Sequence, residues 1–143
     1  MDEIQAAILR VKFRHLEAWT EARRRLAQAY NRLIRERLLP LVPEIVLPTE
    51  AAEARHVYHI YALRVPRRDA LLKFLQAQGI GALVHYSRPV HVQPAFAAFG
   101  GREGDCPAGE ALAREVISLP IYPTMPETSV EQVVEALVAF YRT

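Results

Sequence analysis

Cysteine, lysine, asparagine and glycine are all scarce in this sequence, and most of these scarcities exclude something. The single cysteine, Cys106, leaves no partner for an internal disulfide and suits a reducing cytoplasm. Only two lysines occur, Lys12 and Lys73, so nearly all positive charge is arginine, and Asn31 is the sole asparagine. The arginine bias fits a GC-rich or heat-adapted source, although arginine preference is no general thermophile rule. The six glycines form neither G-x-G-x-x-G between a strand and a helix nor a P-loop. No apolar run approaches the ~18 residues of a membrane span, and the acidic opening MDEIQAAILR does not read as a signal peptide. A net charge of +2, spread out and interleaved with acids, lacks the basic stripe that tracks phosphates. The Arg23-Arg24-Arg25 run reads as the wet face of a helix. Neither nucleic acid nor a membrane is an expected partner.

What is present suits one globular domain. With 143 residues, 51% hydrophobic and 24% charged, the chain can bury a core without staples. From Asp2 to about Leu38 there is neither glycine nor proline. Ile4, Ile8, Val11, Trp19, Ala22, Leu26, Tyr30 and Leu33 recur at helical spacing, which predicts one long helix ended by Pro40 and Pro43. Such a helix would span roughly 55 Å, against a radius of gyration of about 14–15 Å for a domain of this size. Its first turns are apolar on several sides, so they are expected to pack on a partner subunit or another domain. Exposed, that patch would drive self-association, relieved by trimming before about Phe13.

Beyond residue 40 the pattern alternates. HVYHIYALRV (56–65) reads as a strand and Arg67–Gln78 as an amphipathic helix with Leu71, Leu72 and Leu75 inward and Gly79 as its cap. Ala82–Tyr86 reads as a second strand, Gln93–Phe99 as a short helix and Ala108–Val116 as another. Ile117–Leu119 reads as a third strand. A final helix runs to Arg142, capped by Ser129, with Val130, Val133, Val134, Leu137 and Phe140 as its buried face. The fold class is α+β, a small three-stranded, mainly antiparallel sheet with helices packed on it, preceded by the long helix. The boundaries are 1–40 for that helix and 41–143 for the small domain.

Chemistry-bearing residues concentrate in VHYSRPVHVQPAF (84–96). Metal ligation is not supported, because His56 and His59 on a strand would face opposite ways and His85 and His91 converge only through a turn. No serine has a G-x-S-x-G setting, and Cys106 lacks a cysteine-protease context. The stretch reads either as donors for a polyhydroxyl or phosphate ligand or as a solvated turn covering a sheet edge.

MDEIQAAIL, HVYHIYALRV, GIGALVHYSRPVHVQPAF and ISLPIYPTM, in this order and spacing, resemble the C-terminal part of the DegT/DnrJ/EryC1/StrS sugar aminotransferases. The resemblance runs from Met1 to about Phe140. It implies the small domain of a fold-type-I aminotransferase that uses pyridoxal phosphate (PLP) and an amino-acid donor to aminate nucleotide-linked keto-sugars. The long helix would bridge to a large domain holding PLP and the Schiff-base lysine, all lying before Met1. Neither Lys12 nor Lys73 has the context of that lysine, so the chain alone is expected to bind no cofactor and to be inactive. The family's H-Y-x-x-P-x-H-x-Q pattern falls on His85, Tyr86, Pro89, His91 and Gln93, with His85 and Tyr86 the first substrate contacts implied and His91 the next. Ser87-Arg88 stands where a proline-led pair is common, which leaves Arg88 either on the diphosphate or in solvent. H-x-x-H-x-Y falls on His56, His59 and Tyr61, mainly structural, with His59 near the site. The other reading is a non-catalytic module, binding a nucleotide sugar or pairing as a homodimer or with another aminotransferase through the N-terminal helix.

Overall fold

A computed structural model describes residues 2–143 of the chain. Its elements are α1 (Glu3–Phe13), α2 (Leu16–Arg37), β1 (Tyr61–Arg64), α3 (Arg68–Ala77), two 3₁₀ turns (Val90–Val92 and Pro94–Phe99), α4 (Pro107–Glu115), β2 (Val116–Leu119) and α5 (Glu127–Arg142). The expected single long helix is therefore two. At Arg14 and His15 the backbone bonds tighten to three-residue spacing, Arg14 N–H to Val11 O at 3.3 Å and His15 N–H to Lys12 O at 3.0 Å. His15 O then accepts from Trp19 N–H at 3.0 Å and starts α2. The break comes from these 3₁₀ bonds, with no proline or glycine involved.

The break separates two regimes. α2 buries Leu26, Ala27, Ala29, Tyr30, Leu33 and Ile34, close to the expected stripe, and packs along α5. α5 buries Val130, Val133, Val134, Leu137 and Phe140 as expected. It starts at Glu127 with Pro126 at the cap position, so Ser129 is one turn inside and caps nothing. α3 ends in a Schellman motif: Gly79 takes φ +75°, its N–H meets Gln76 O at 3.0 Å, and Ile80 N–H meets Leu75 O at 3.0 Å. α1, by contrast, buries no residue; Ile4 is 72% exposed and Phe13 74%.

The sheet has two strands, β1 and β2, antiparallel with Tyr61 opposite Leu119 and Leu63 opposite Ile117. The expected strand at 82–86 shrinks to a single bridge, Leu83 to Ser118, and Val46 makes another to Arg64 on the opposite edge. The strand expected over 56–65 starts only at Tyr61. Before it, His56 Nδ1 accepts the Tyr58 N–H at 2.9 Å, and Tyr58 takes φ +46°. That side chain-to-backbone bond competes with the ladder and ends it. His56 and His59 thus lie on irregular chain, where alternation between sheet faces does not apply.

The segment carrying them is tied to α2. Arg24 donates to both oxygens of Glu50, at 2.8 and 3.3 Å, and to His56 O at 2.7 Å, while Glu50 Oε1 accepts His56 N–H at 2.7 Å. Arg24 is half-buried and has a structural task, so the arginine run is not merely a wet face. Arg55 also pairs with Glu17 and Glu21 on the surface. In the core, the Tyr30 and Tyr61 rings stack at 4.7 Å. Tyr30 Oη donates to Pro120 O at 2.9 Å and Tyr61 Oη to Asn31 Oδ1 at 2.8 Å, so the lone asparagine satisfies a buried phenol. Burial pushes both phenols well above their ordinary range.

Stability should divide along the same line. Leu137→Ala, in a fully buried site, is expected to cost about 2–5 kcal/mol in urea unfolding, and Ile8→Ala less than about 0.5 kcal/mol. Comparable costs would mean that α1 is part of the folding unit.

Candidate functional site

The candidate segment leaves the edge of β2 and is hooked down twice. Leu83 N–H donates to Ser118 O at 3.0 Å and Ser118 N–H to Leu83 O at 2.8 Å. Two residues on, His85 Nδ1 lies 3.0 Å from Ser118 Oγ. Ser118 is buried in the middle of β2, so His85 supplies the partner its hydroxyl needs. The next residue, Tyr86, is 75% exposed and its ring stands edge-on to His85, centroids 5.8 Å apart.

The second hook is His91, whose Nε2 lies 3.0 Å from Glu110 Oε1. The same oxygen accepts Gly104 N–H at 2.8 Å and Cys106 N–H at 3.3 Å. Glu110 stands in the first turn of α4 and binds the 100–106 loop and the 90–92 turn together. Contact there is close, since a Cβ on Gly101 would collide with the His91 carbonyl oxygen. Gly100, in the left-handed region at φ +77°, closes the preceding turn. Just beyond the second hook, Gln93 Nε2 donates to Arg88 O at 3.2 Å. Gln93 therefore closes its own loop through its amide nitrogen.

The expected residues thus fall into three groups. His85, Tyr86, Arg88, His91 and Gln93 share one segment, with His85 and His91 each anchored through one ring nitrogen. Among the described residues, Tyr86 Oη and the Arg88 guanidinium have no side-chain partner. His59 is exposed on the 56–60 segment and, among the described residues, its side chain forms no hydrogen bond or ion pair with this loop. Ser118 and Glu110 escape sequence reasoning as site residues. A serine in ISLP and a glutamate just inside a proline-started helix look like ordinary strand and helix-dipole residues.

Clefts flank the segment on both sides. One of about 240 Å³ is lined by Arg88, Pro89, Val92, Glu103, Glu110 and Arg114. Another of about 360 Å³ is lined by Val90, His91, Phe96, Phe99, Gly101 and Cys106 and is almost wholly apolar. A larger cleft of about 610 Å³ lies between the ends of α2 and α5, lined in part by Glu36, Arg37, Glu135 and Arg142. It holds none of the candidate residues, and its Arg37 and Glu135 pair with each other at 3.8 Å. Among the described residues, no three His, Cys, Asp or Glu side chains are grouped to hold a metal ion, and no helix is long and apolar enough to cross a membrane.

The DegT/DnrJ/EryC1/StrS aminotransferase family matches residues 1–138. The chain belongs to this family. A "Pleiotropic regulatory protein" of Geobacillus stearothermophilus is 47% identical over 99% of the chain and 37% of its own length. The dTDP-3-amino-3,4,6-trideoxy-alpha-D-glucose transaminase of Streptomyces venezuelae is 39% identical over 96% of the chain and 35% of its own length. The crystal structure of S. venezuelae DesV in complex with a ketimine intermediate overlays the whole chain with a TM-score of 0.91 at 37% identity, again over 37% of that protein. The chain therefore spans a little over a third of the relatives it matches. A "Putative sugar aminotransferase" of Streptococcus pneumoniae that shares the fold (TM-score 0.86, 20% identity) is solved in PLP and PMP forms, and neither lysine described here is placed to hold that cofactor. Lys12 is exposed on α1 and Lys73 on α3, and neither lines a cleft described above.

The Glu110 hook carries a pH signature. The Gly104 N–H first, then His91 and the Cys106 N–H, hold its carboxyl below the usual carboxylate range. A depressed folded-state pKa gives stabilisation that is full above the ordinary value, about 4.3, and lost as pH falls through the folded value. In an acid titration followed by amide NMR, Gly104 and Cys106 should move together with a midpoint below about 4.3. A midpoint at or above it would remove the three-donor account.

Proposed function

We propose that this chain supplies the substrate-facing loop of a PLP-dependent aminotransferase acting on nucleotide-linked keto-sugars, as in amino-sugar biosynthesis. The observation that carries the proposal is the overlay of the whole chain on S. venezuelae DesV, solved with a ketimine intermediate, and a relative named as a dTDP-amino-sugar transaminase at 39% identity points the same way. The loop's own chemistry supports it. Tyr86 and Arg88 are exposed and unengaged, and they offer a hydroxyl and a cationic fork suited to a sugar and a diphosphate. His85 stands behind Tyr86 with Nδ1 committed to Ser118, leaving Nε2 for a ligand. Gln93 contributes loop shape in this proposal, and His59 at most borders the site.

Residues 1–40 act here as a connecting helical segment and 41–143 as the small domain. Cofactor binding and the Schiff-base lysine are assigned to the larger part of the relatives that this chain does not match. The chain alone is accordingly inactive in transamination, and the amino-acid donor meets the cofactor elsewhere.

Calorimetry with dTDP- and UDP-linked sugars tests the loop. Weak binding is expected, with Tyr86→Ala and Arg88→Ala each lowering affinity roughly tenfold, the worth of one good hydrogen bond. Absence of heat with every nucleotide sugar, or full affinity in both variants, would sink the proposal. Turnover of a nucleotide-linked keto-sugar by the chain with added PLP and L-glutamate would overturn the claim of inactivity.

A second reading, an assembly module, draws on α1, whose apolar residues are uncovered. It expects a dimer in sedimentation that Ile8→Glu with Phe13→Glu abolishes, without any sugar-nucleotide heat.

A further inference from the structure

His91 sits in the wall between two unlike clefts. Its Nε2 reaches Glu110, which lines the polar cleft with Arg88 and Arg114, while His91 itself lines the apolar cleft with Phe96 and Phe99. One oxygen, Glu110 Oε1, takes all three hydrogen bonds, two of them from backbone N–H groups. An oxygen already accepting two backbone protons acts as an acceptor, so the imidazole must be the donor in the third bond. In a neutral histidine, a proton on one ring nitrogen leaves a lone pair on the other.

We propose that Glu110 is a positioning residue: it locks His91 as the Nε2–H form and leaves Nδ1 as a fixed acceptor for a sugar hydroxyl. The apolar cleft suits that ligand. Phe96 and Phe99, with ring centroids 6.2 Å apart, offer surface for the C–H face of a sugar ring. Apart from the Cys106 thiol and backbone groups, His91 is the polar group in this wall, and a few fixed polar groups in an apolar pocket set ligand orientation. Nδ1 has no protein partner among the described residues. The contact first expected of His91 is thereby reassigned: Nε2 belongs to the scaffold and Nδ1 to the ligand. The sugar half of the proposal rests on the substrate-loop reading above, whereas the tautomer half does not.

The test is a long-range proton–nitrogen NMR spectrum of the imidazoles at mildly alkaline pH, on the full chain. His91 should show a protonated Nε2 and a bare Nδ1. Glu110→Ala should collapse this to the mixed tautomers of an exposed histidine such as His59. Glu110→Gln, which keeps a carbonyl oxygen in place, should restore it. Unchanged β1 and β2 amide signals in the variants separate positioning from unfolding. A wild-type His91 with mixed tautomers, or protonated on Nδ1, would overturn the proposal, as would an unchanged pattern in Glu110→Ala. In the binding arm, Glu110→Ala should weaken a dTDP-linked sugar roughly tenfold and leave dTDP itself unaffected. Equal loss for both ligands would overturn the sugar assignment. No binding by the wild type would sink the substrate-loop reading and the sugar half together, with the tautomer result still deciding the role of Glu110.

Discussion

The structure turns on one buried strand. All four residues of β2, Val116 to Leu119, are buried, so none of its polar groups can turn to water, and each must find a protein partner. β1 pairs along one edge of β2, while on the other Leu83 pairs with Ser118 and the Arg68 guanidinium donates to Val116 O at 2.8 Å. Ser118 adds a hydroxyl in the middle of the strand, and that hydroxyl needs His85. A buried hydroxyl left unpaired costs about 1–3 kcal/mol, so the strand fixes residues 83–85 as a matter of its own stability. Beyond those two anchors the loop leaves the sheet, and Tyr86 stands 75% exposed.

The loop is thereby built with free groups held between fixed ones. His85 and His91 are each tied through one nitrogen, Gln93 bonds back to Arg88 O, and Gly101 presses on the backbone of His91. Tyr86 and the Arg88 side chain are left over. Ordering a long side chain at a binding site costs about 0.5–1.5 kcal/mol, and a backbone already anchored at both ends removes part of the ordering from the binding step. The hooks also differ in kind. Ser118 to His85 is a neutral bond on a buried strand, whereas Glu110 gathers three donors on a partly exposed carboxylate and so answers to acid.

The helices were legible wherever a packed face repeated at helical spacing. Leu26, Tyr30 and Leu33 in α2, and Val130, Val134 and Leu137 in α5, lie where periodicity placed them because each had a core to face. The break at Arg14–His15 was not legible, since its cause is a change in backbone bonding that no glycine or proline announces. The strands shortened for a related reason. His56 and His85 look compatible with strands, yet each spends its ring on a local or cross-strand bond that diverts the chain. Family motifs located the loop but not its support. Glu110 carries no mark in a single sequence that separates a carboxylate gathering three donors from one that merely favours a helix N-terminus.

α1 and the loop both carry side chains that the chain's own packing does not engage. No buried side-chain polar atom is left unpartnered among the described residues. The most exposed large apolar and aromatic side chains are Ile4 and Phe13 on α1 and Tyr86, Val90 and Phe99 on the loop and the 3₁₀ turn after it. An isolated helix of 11 residues is marginal in water, and α1 draws no support from burial within this chain. Tyr86 and Arg88 likewise gain a role only when something meets them. Both surfaces lie within the third or so of its relatives' length that the chain matches. The uncovered helix and the outward loop are thus two surfaces whose side chains the chain's own core does not engage.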